Sequence, residues 1–175
     1  MYPVVRLARQ ILINRNAAPL KLADVHTTYL RAWPLDLDVF LELNNGRILT
    51  LMDLGRFGYF VRNGLTRKLK EKGWYGTVAG SAVRYRRRIT VFQRLELRTR
   101  VLGWDDRFTY FDQSFWRGDE CCAHAVIRTA ITSGKGIVPS DQVAAALGYA
   151  PESPELPEWV KHWDGAERQR PWPPH

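Results

Sequence analysis

Four strand-like blocks follow one another between residues 77 and 132, and that run narrows the folds open to this chain. The clearest is Arg94–Trp104, where Leu95, Leu97, Thr99 and Val101 alternate with Glu96, Arg98, Arg100 and Leu102. A period of two over a full strand marks a sheet with one buried face. Thr77–Thr90 comes before it. Asp105-Asp106 turns the chain into Phe108–Trp116, and Arg117-Gly118-Asp119 turns it again into Glu120–Thr132. Strands joined by such short connections pair antiparallel. Ahead of them lies one long helical pattern carried by Ile48, Leu51, Met52, Leu54, Gly55, Phe57, Gly58, Phe60 and Val61. Asn44 or Asn45 caps its start, it runs to about Arg62, and Gly64 sits where a C-terminal glycine belongs. Asp24–Trp33 reads as a first strand ended by Pro34. Strand, long helix and antiparallel meander predict an α+β layer, with a sheet wrapped around one central helix. At 175 residues with 45% hydrophobic content, the chain is one domain with short extensions.

The entry to that helix is unusually polar. Asp36-Leu37-Asp38-Val39-Phe40-Leu41-Glu42-Leu43-Asn44-Asn45-Gly46-Arg47 places acids and carboxamides just ahead of a buried element. A helix N-terminus needs acceptors for its free N–H groups, which accounts for one Asn. The rest of the cluster exceeds what capping requires.

The pattern Asp-Leu-Asp-Val-x-x-x-Leu-Asn-Asn-x-Arg-Ile-Leu resembles the opening signature of the hotdog-fold thioesterases. It is most similar to the 4-hydroxybenzoyl-CoA and plant acyl-ACP thioesterase branch, and within it to small bacterial acyl-CoA thioesterase-like proteins. The resemblance runs from about Lys21 to about Val138. It implies a hotdog domain over 21–138, an N-terminal segment and linker over 1–20, and a helix with a Pro/Trp-rich tail over 139–175. It also implies a homodimer or higher homo-oligomer with its active site at the subunit interface. The implied substrate is an acyl-CoA or acyl-ACP thioester, and the implied chemistry needs no metal or redox cofactor.

Thioester hydrolysis uses a carboxylate that attacks the carbonyl or takes a proton from water. By resemblance that residue is Asp38, with Asp36 ordering the loop through backbone N–H groups. In the plant branch an Asn and a His stand two and four positions after the aspartate; Phe40 and Glu42 occupy those places here. Glu42 is therefore a candidate second base. Asn44 and Asn45 are candidates to orient water or the thioester carbonyl at the helix start, and Arg47 to pair with Asp36 or Asp38. Arg84, Arg86 and Arg88 share one face of an extended strand and are candidates for the phosphates of coenzyme A. The alternative is a hotdog module that binds acyl thioesters without hydrolysing them, or a membrane-peripheral scaffold.

The net charge of +8 favours anionic partners. Aromatic residues interleave thinly with the basic run and no nucleic-acid motif is present, so nucleic acid is not expected. Residues 2–13 form a basic amphipathic helix, read as packing on the domain or a partner subunit, with peripheral membrane contact as the second reading. No apolar run reaches membrane-spanning length, and the adjacent Cys121 and Cys122 argue against a disulfide framework, which fits a reducing cytoplasm. With only His124 nearby, no metal site is expected there. Gly55 and Gly58 are read as helix–sheet packing, Met52, Phe57 and Phe60 as core, and the chain beyond Pro151 as an irregular tail docked by Trp159 and Trp163.

Overall fold

A computed structural model describes residues 2–174. Helix α1 (Val4–Asn14) leads to strand β1 (His26–Arg31) and a single 3-10 turn at Pro34–Asp36. Helices α2 (Asn45–Arg62) and α3 (Leu65–Lys72) follow. Strands β2 (Tyr75–Tyr85), β3 (Arg94–Trp104), β4 (Thr109–Arg117), β5 (Glu120–Ser133) and β6 (Gly136–Ile137) come next, then α4 (Ser140–Ala146) and α5 (Glu158–Gln169). The strands form one antiparallel sheet in the order β1-β3-β4-β5-β2, with β6 paired antiparallel to the end of β5. This is the hotdog arrangement, with α2 lying in the hollow of a curled sheet.

The alternation in β3 does what its spacing predicts. Leu95, Leu97 and Thr99 are buried while Arg94, Glu96, Arg98 and Arg100 face outward. The inward residues of β3, β4 and β5 meet Leu51, Met52 and Leu54 of α2 in one continuous core. Each such aliphatic side chain contributes about 1.5–3 kcal/mol by leaving water. Gly55 and Gly58 let the helix come this close. A Cβ on Gly55 would stand 2.6 Å from Leu97 Cδ2 and 2.8 Å from Thr99 Oγ1, and one on Gly58 would collide with the His26 ring. Packing thus explains both glycines.

Three elements differ from the sequence reading. The tail is not irregular throughout, because α5 lies on the outer face of the sheet. Val160 and Trp163 pack there against Tyr110 and Val126, and Asp164 bonds the largely buried Arg128 at 2.8 Å. Prolines at 151, 154 and 157 masked this helix, although Pro157 is its N-cap. Trp163 docks as expected, and Trp159, though 48% exposed, meets the His124 ring edge-on at 5.9 Å. Strand β2 stops at Tyr85, since the Arg86 and Arg87 N–H groups both donate to the Cys122 carbonyl and break the alternation. Helix α1 packs on α2 with its polar side inward. Gln10 and Asn14 are buried, and Val4, Val5, Leu12 and Ile13 face solvent. Among the described residues no helix is long and apolar enough to cross a membrane.

Candidate active site at the start of the central helix

Asp36 and Asp38 bracket one turn of the loop and are held differently. Asp36 is 3% exposed. Its Oδ2 accepts from Arg6 Nη2 at 2.8 Å and from the Trp33 N–H at 2.9 Å, and its Oδ1 faces Arg47 Nε at 3.2 Å. Two guanidinium groups compensate the buried carboxylate, and its backbone carbonyl accepts from the Asn44 N–H at 2.9 Å. Asp36 therefore fastens the loop to both α1 and α2.

Asp38 is half-buried and ordered by the backbone alone. Its Oδ1 accepts from the Phe40 N–H at 2.9 Å and the Glu42 N–H at 3.3 Å, and its own N–H donates to the Glu42 carbonyl at 2.8 Å. Oδ2 has no hydrogen-bond partner among the described residues. The turn it closes puts Leu41 at a φ of +58°, a left-handed conformation that costs a side-chain-bearing residue energy. An isolated bridge, Leu37–Leu43, closes the loop on itself, and another, Glu42–Thr90, ties it to the chain after β2. Around it Leu35, Val39, Phe40 and Leu41 are exposed, Phe40 at 74%.

The other sequence candidates fall into place nearby. Asn44 is the N-cap of α2, its Oδ1 accepting from the Gly46 and Arg47 N–H groups at 2.9 and 3.2 Å. Asn45 occupies the first helical position and is exposed, so its carboxamide stands at the positive end of the helix dipole. Glu42 is engaged by Arg88, whose guanidinium pKa is pushed up first by that hydrogen bond and then by the charges of Glu42 and Asp38. Arg87 pairs with Glu120, while Arg84 and Arg86 are exposed near the end of β2. The structure thus groups Asp38, Glu42, Asn45 and Arg88 at one end of α2. It separates Arg84 and Arg86 from a common strand face with Arg88.

The sequence reading missed a cavity. Alongside the C-terminal half of α2, a partly open cavity of about 170 Å³ is lined by Phe57, Phe60, Leu69, Phe111, Ile131 and Val143, with Gly76–Val78 of β2 at its border. Met52 is core as expected, and Phe60 packs against the core while it and Phe57 also line this cavity. Helical spacing does not distinguish the two roles. A buried polar strip beside the cavity was also missed. Arg56 is 4% exposed and bonds Asp53 and Gln113 Oε1, and Gln113 Nε2 donates to the Met52 carbonyl at 2.9 Å and to Thr99 Oγ1 at 2.8 Å. Burial lowers the Arg56 pKa and raises that of Asp53, their mutual attraction opposing both shifts. The buried His26 has its pKa lowered to about 4, by burial first and then by Arg62. Arg62 Nη1 lies 3.2 Å from His26 Nδ1 and Thr28 Oγ1 lies 3.0 Å from Nε2. Since a guanidinium only donates, Nδ1 accepts and the neutral ring carries its proton on Nε2. His124 bonds Asp112 on the outer sheet face, away from α2. The two cysteines are unbridged, and no group of three or more potential metal ligands occurs among the described residues.

Residues 32–163 match the family model described as the thioesterase-like superfamily. The chain is similar to Protein THEM6 of Xenopus laevis, 36% identical over 74% of this chain and 62% of that protein. Protein THEM6 of Drosophila melanogaster is 30% identical over 82% of this chain and 74% of its own length. The chain therefore spans less than two thirds of the Xenopus relative. Among solved structures, the probable thioesterase YbaW from Escherichia coli superposes with a TM-score of 0.65 at 16% identity, over 70% of this chain and 96% of that one. At that identity the likeness is one of fold.

Proposed function

Because this chain belongs to the thioesterase-like superfamily, we propose that it hydrolyses acyl thioesters at the amino end of α2 with Asp38 as the base. The observation that carries the reading is the state of the Asp38 carboxylate. One oxygen is fixed by two backbone N–H groups and the other is free to accept a proton. In the proposed step Asp38 Oδ2 removes a proton from water as the water oxygen bonds the thioester carbon. The C–S bond then breaks, and the departing thiolate takes the proton back. The Asn45 carboxamide and the dipole of α2 favour the negative charge that develops on the carbonyl oxygen. Glu42, paired with Arg88, holds the loop, and the exposed Arg84 and Arg86 supply positive charge for a coenzyme A or carrier-protein substrate.

A homodimer is part of the same proposal. Strand β2 is an edge strand of eleven residues with Tyr75, Val78 and Tyr85 exposed, and exposed edges of that length pair readily. Antiparallel pairing of two β2 strands brings the Gly76–Val78 end of one protomer to the Tyr85 end of the other. The apolar cavity of one subunit then lies toward the Asp38 loop of its partner and receives the acyl chain. The same contact covers the exposed apolar loop.

The test is turnover of a panel of acyl-CoA esters by the wild type and Asp38→Asn. Hydrolysis that disappears in the variant supports the enzyme. A second reading rests on Phe40 and Glu42: one side chain is in solvent and the other ion-paired, so neither offers a free polar partner to Asp38. Acyl-CoA binding without turnover would establish that non-catalytic module. The outward apolar stripe of α1 is proposed for peripheral membrane contact. The unbridged cysteines fit a cytoplasmic location.

A further inference from the structure

A groove of about 690 Å³ between α1 and the rim of β1 and β3 carries charge that the fold leaves uncompensated. Arg31 of β1 and Arg94 of β3 are register partners. Like charges rooted directly opposite one another destabilise a sheet unless something lies between them. Neither side chain has a hydrogen-bond or ion-pair partner among the described residues, and the same holds for Arg9 of α1. Arg6 also lines the groove. Its Nη2 is held by Asp36 at 2.8 Å, but its Nη1 is buried without an acceptor. An orphaned buried donor of that kind costs free energy, and it adds to the positive charge behind the groove wall. Glu96, a carboxylate on the groove wall, is bonded to Arg98 at 2.6 Å. Three aromatic rings complete the lining: Tyr29 at 72% exposed, Trp33 at 46%, and Trp116, which Arg98 covers at 4.4 Å.

We propose that this groove binds a nucleoside phosphate. The phosphate oxygens accept from Arg31 and Arg94, with Arg9 beside them, and the base stacks on Tyr29, the most exposed of the rings. Planar guanidinium groups match phosphate oxygens in pairs, and exposed aromatic faces offer a stacking surface to any base. A groove of this volume falls within the range of small-molecule sites. The run Arg84–Arg88 is a poorer phosphate site, because Arg87 and Arg88 already serve Glu120 and Glu42. The assignment stands independently of the hydrolase reading, since no residue of the Asp38 turn takes part.

Titration calorimetry on the full chain with ADP, at low ionic strength, tests it. Saturable binding is expected, and Arg31→Ala/Arg94→Ala is expected to bind ADP at least about tenfold more weakly. Its unfolding midpoint should stay at or above that of the wild type, because a like-charge pair is removed. Arg67→Ala, on the exposed side of α3, should bind as the wild type does. Tyr29→Ala should weaken ADP and leave inorganic phosphate unaffected. Absence of saturable ADP binding, or ADP binding undiminished in the double variant, overturns the proposal. So does arginine-dependent binding to phosphatidic acid vesicles without binding to ADP, which would assign the groove to a lipid headgroup.

Discussion

Two stretches of α2 handle charge in opposite ways. At its amino end, charge sits in a loop at the surface, where Asp38 is ordered by backbone N–H groups and keeps one oxygen open to water. Near its middle, Arg56 is buried and bonded to Asp53 and Gln113, and farther along the facing His26 of β1 is buried and kept neutral between Arg62 and Thr28. Both places are ordered, but the first leaves a group free to react while the second uses every group to hold the helix to the sheet. A substitution at the loop should therefore change chemistry and spare the fold, and one in the strip should do the reverse.

The most severe test of that contrast is Asp38→Asn. Loss of a general base lowers turnover by about 10²–10⁴-fold, while the unfolding midpoint should stay close to the wild type. A large fall in stability would show instead that the carboxylate is structural. Asp36→Ala is the counterpart two residues away. Arg6 and Arg47 lose a shared buried counter-ion, so a destabilisation of about 3 kcal/mol or more is expected in denaturant titration. A value near zero would remove Asp36 from the framework.

The strip makes a pH prediction. His26 is held neutral in the fold with its pKa at about 4, below its unfolded value of 6.5. Between those values the unfolded chain binds the extra proton, so stability is complete above pH 6.5 and falls as pH drops toward 4. The loss should be about 2 kcal/mol after allowing for partial solvent relaxation around the ring. Carboxylates with lowered pKa, such as Asp112 and Asp164, act only below that window. Unfolding scans at pH 7 and pH 5 should differ for the wild type and much less for His26→Gln. The smallest effect belongs to Asn44→Ala, which removes a cap bonded to two N–H groups and should cost about 1 kcal/mol without altering turnover per folded molecule.

The same contrast explains what could be read from the amino-acid order. Strand β3 was legible because its two faces meet different solvents, and α2 because an Asn cap and a glycine stop frame a helical stripe. The polar turn was legible as a cluster, since its excess over capping needs is visible in the letters. Which acid does what was not, because Asp36 and Asp38 differ only in what folds over them. The Arg56–Gln113 contact joins residues 57 positions apart, beyond any local pattern. The cavity depends on which side of Phe57 and Phe60 remains empty, which spacing alone does not encode. Helix α5 was not legible because the prolines on both sides of it suggest an irregular docked tail.

That last helix changes how the chain should be handled. Arg128 is sandwiched between the rings of Phe108 and Trp163, at 4.6 and 5.5 Å from their centroids. Trimming the protein at Pro157 to tidy a seemingly loose end would strip one slice of that sandwich and wet Tyr110 and Val126 at once. Expression truncations made there should give material that clumps, and a tag placed after residue 174 is the safer choice.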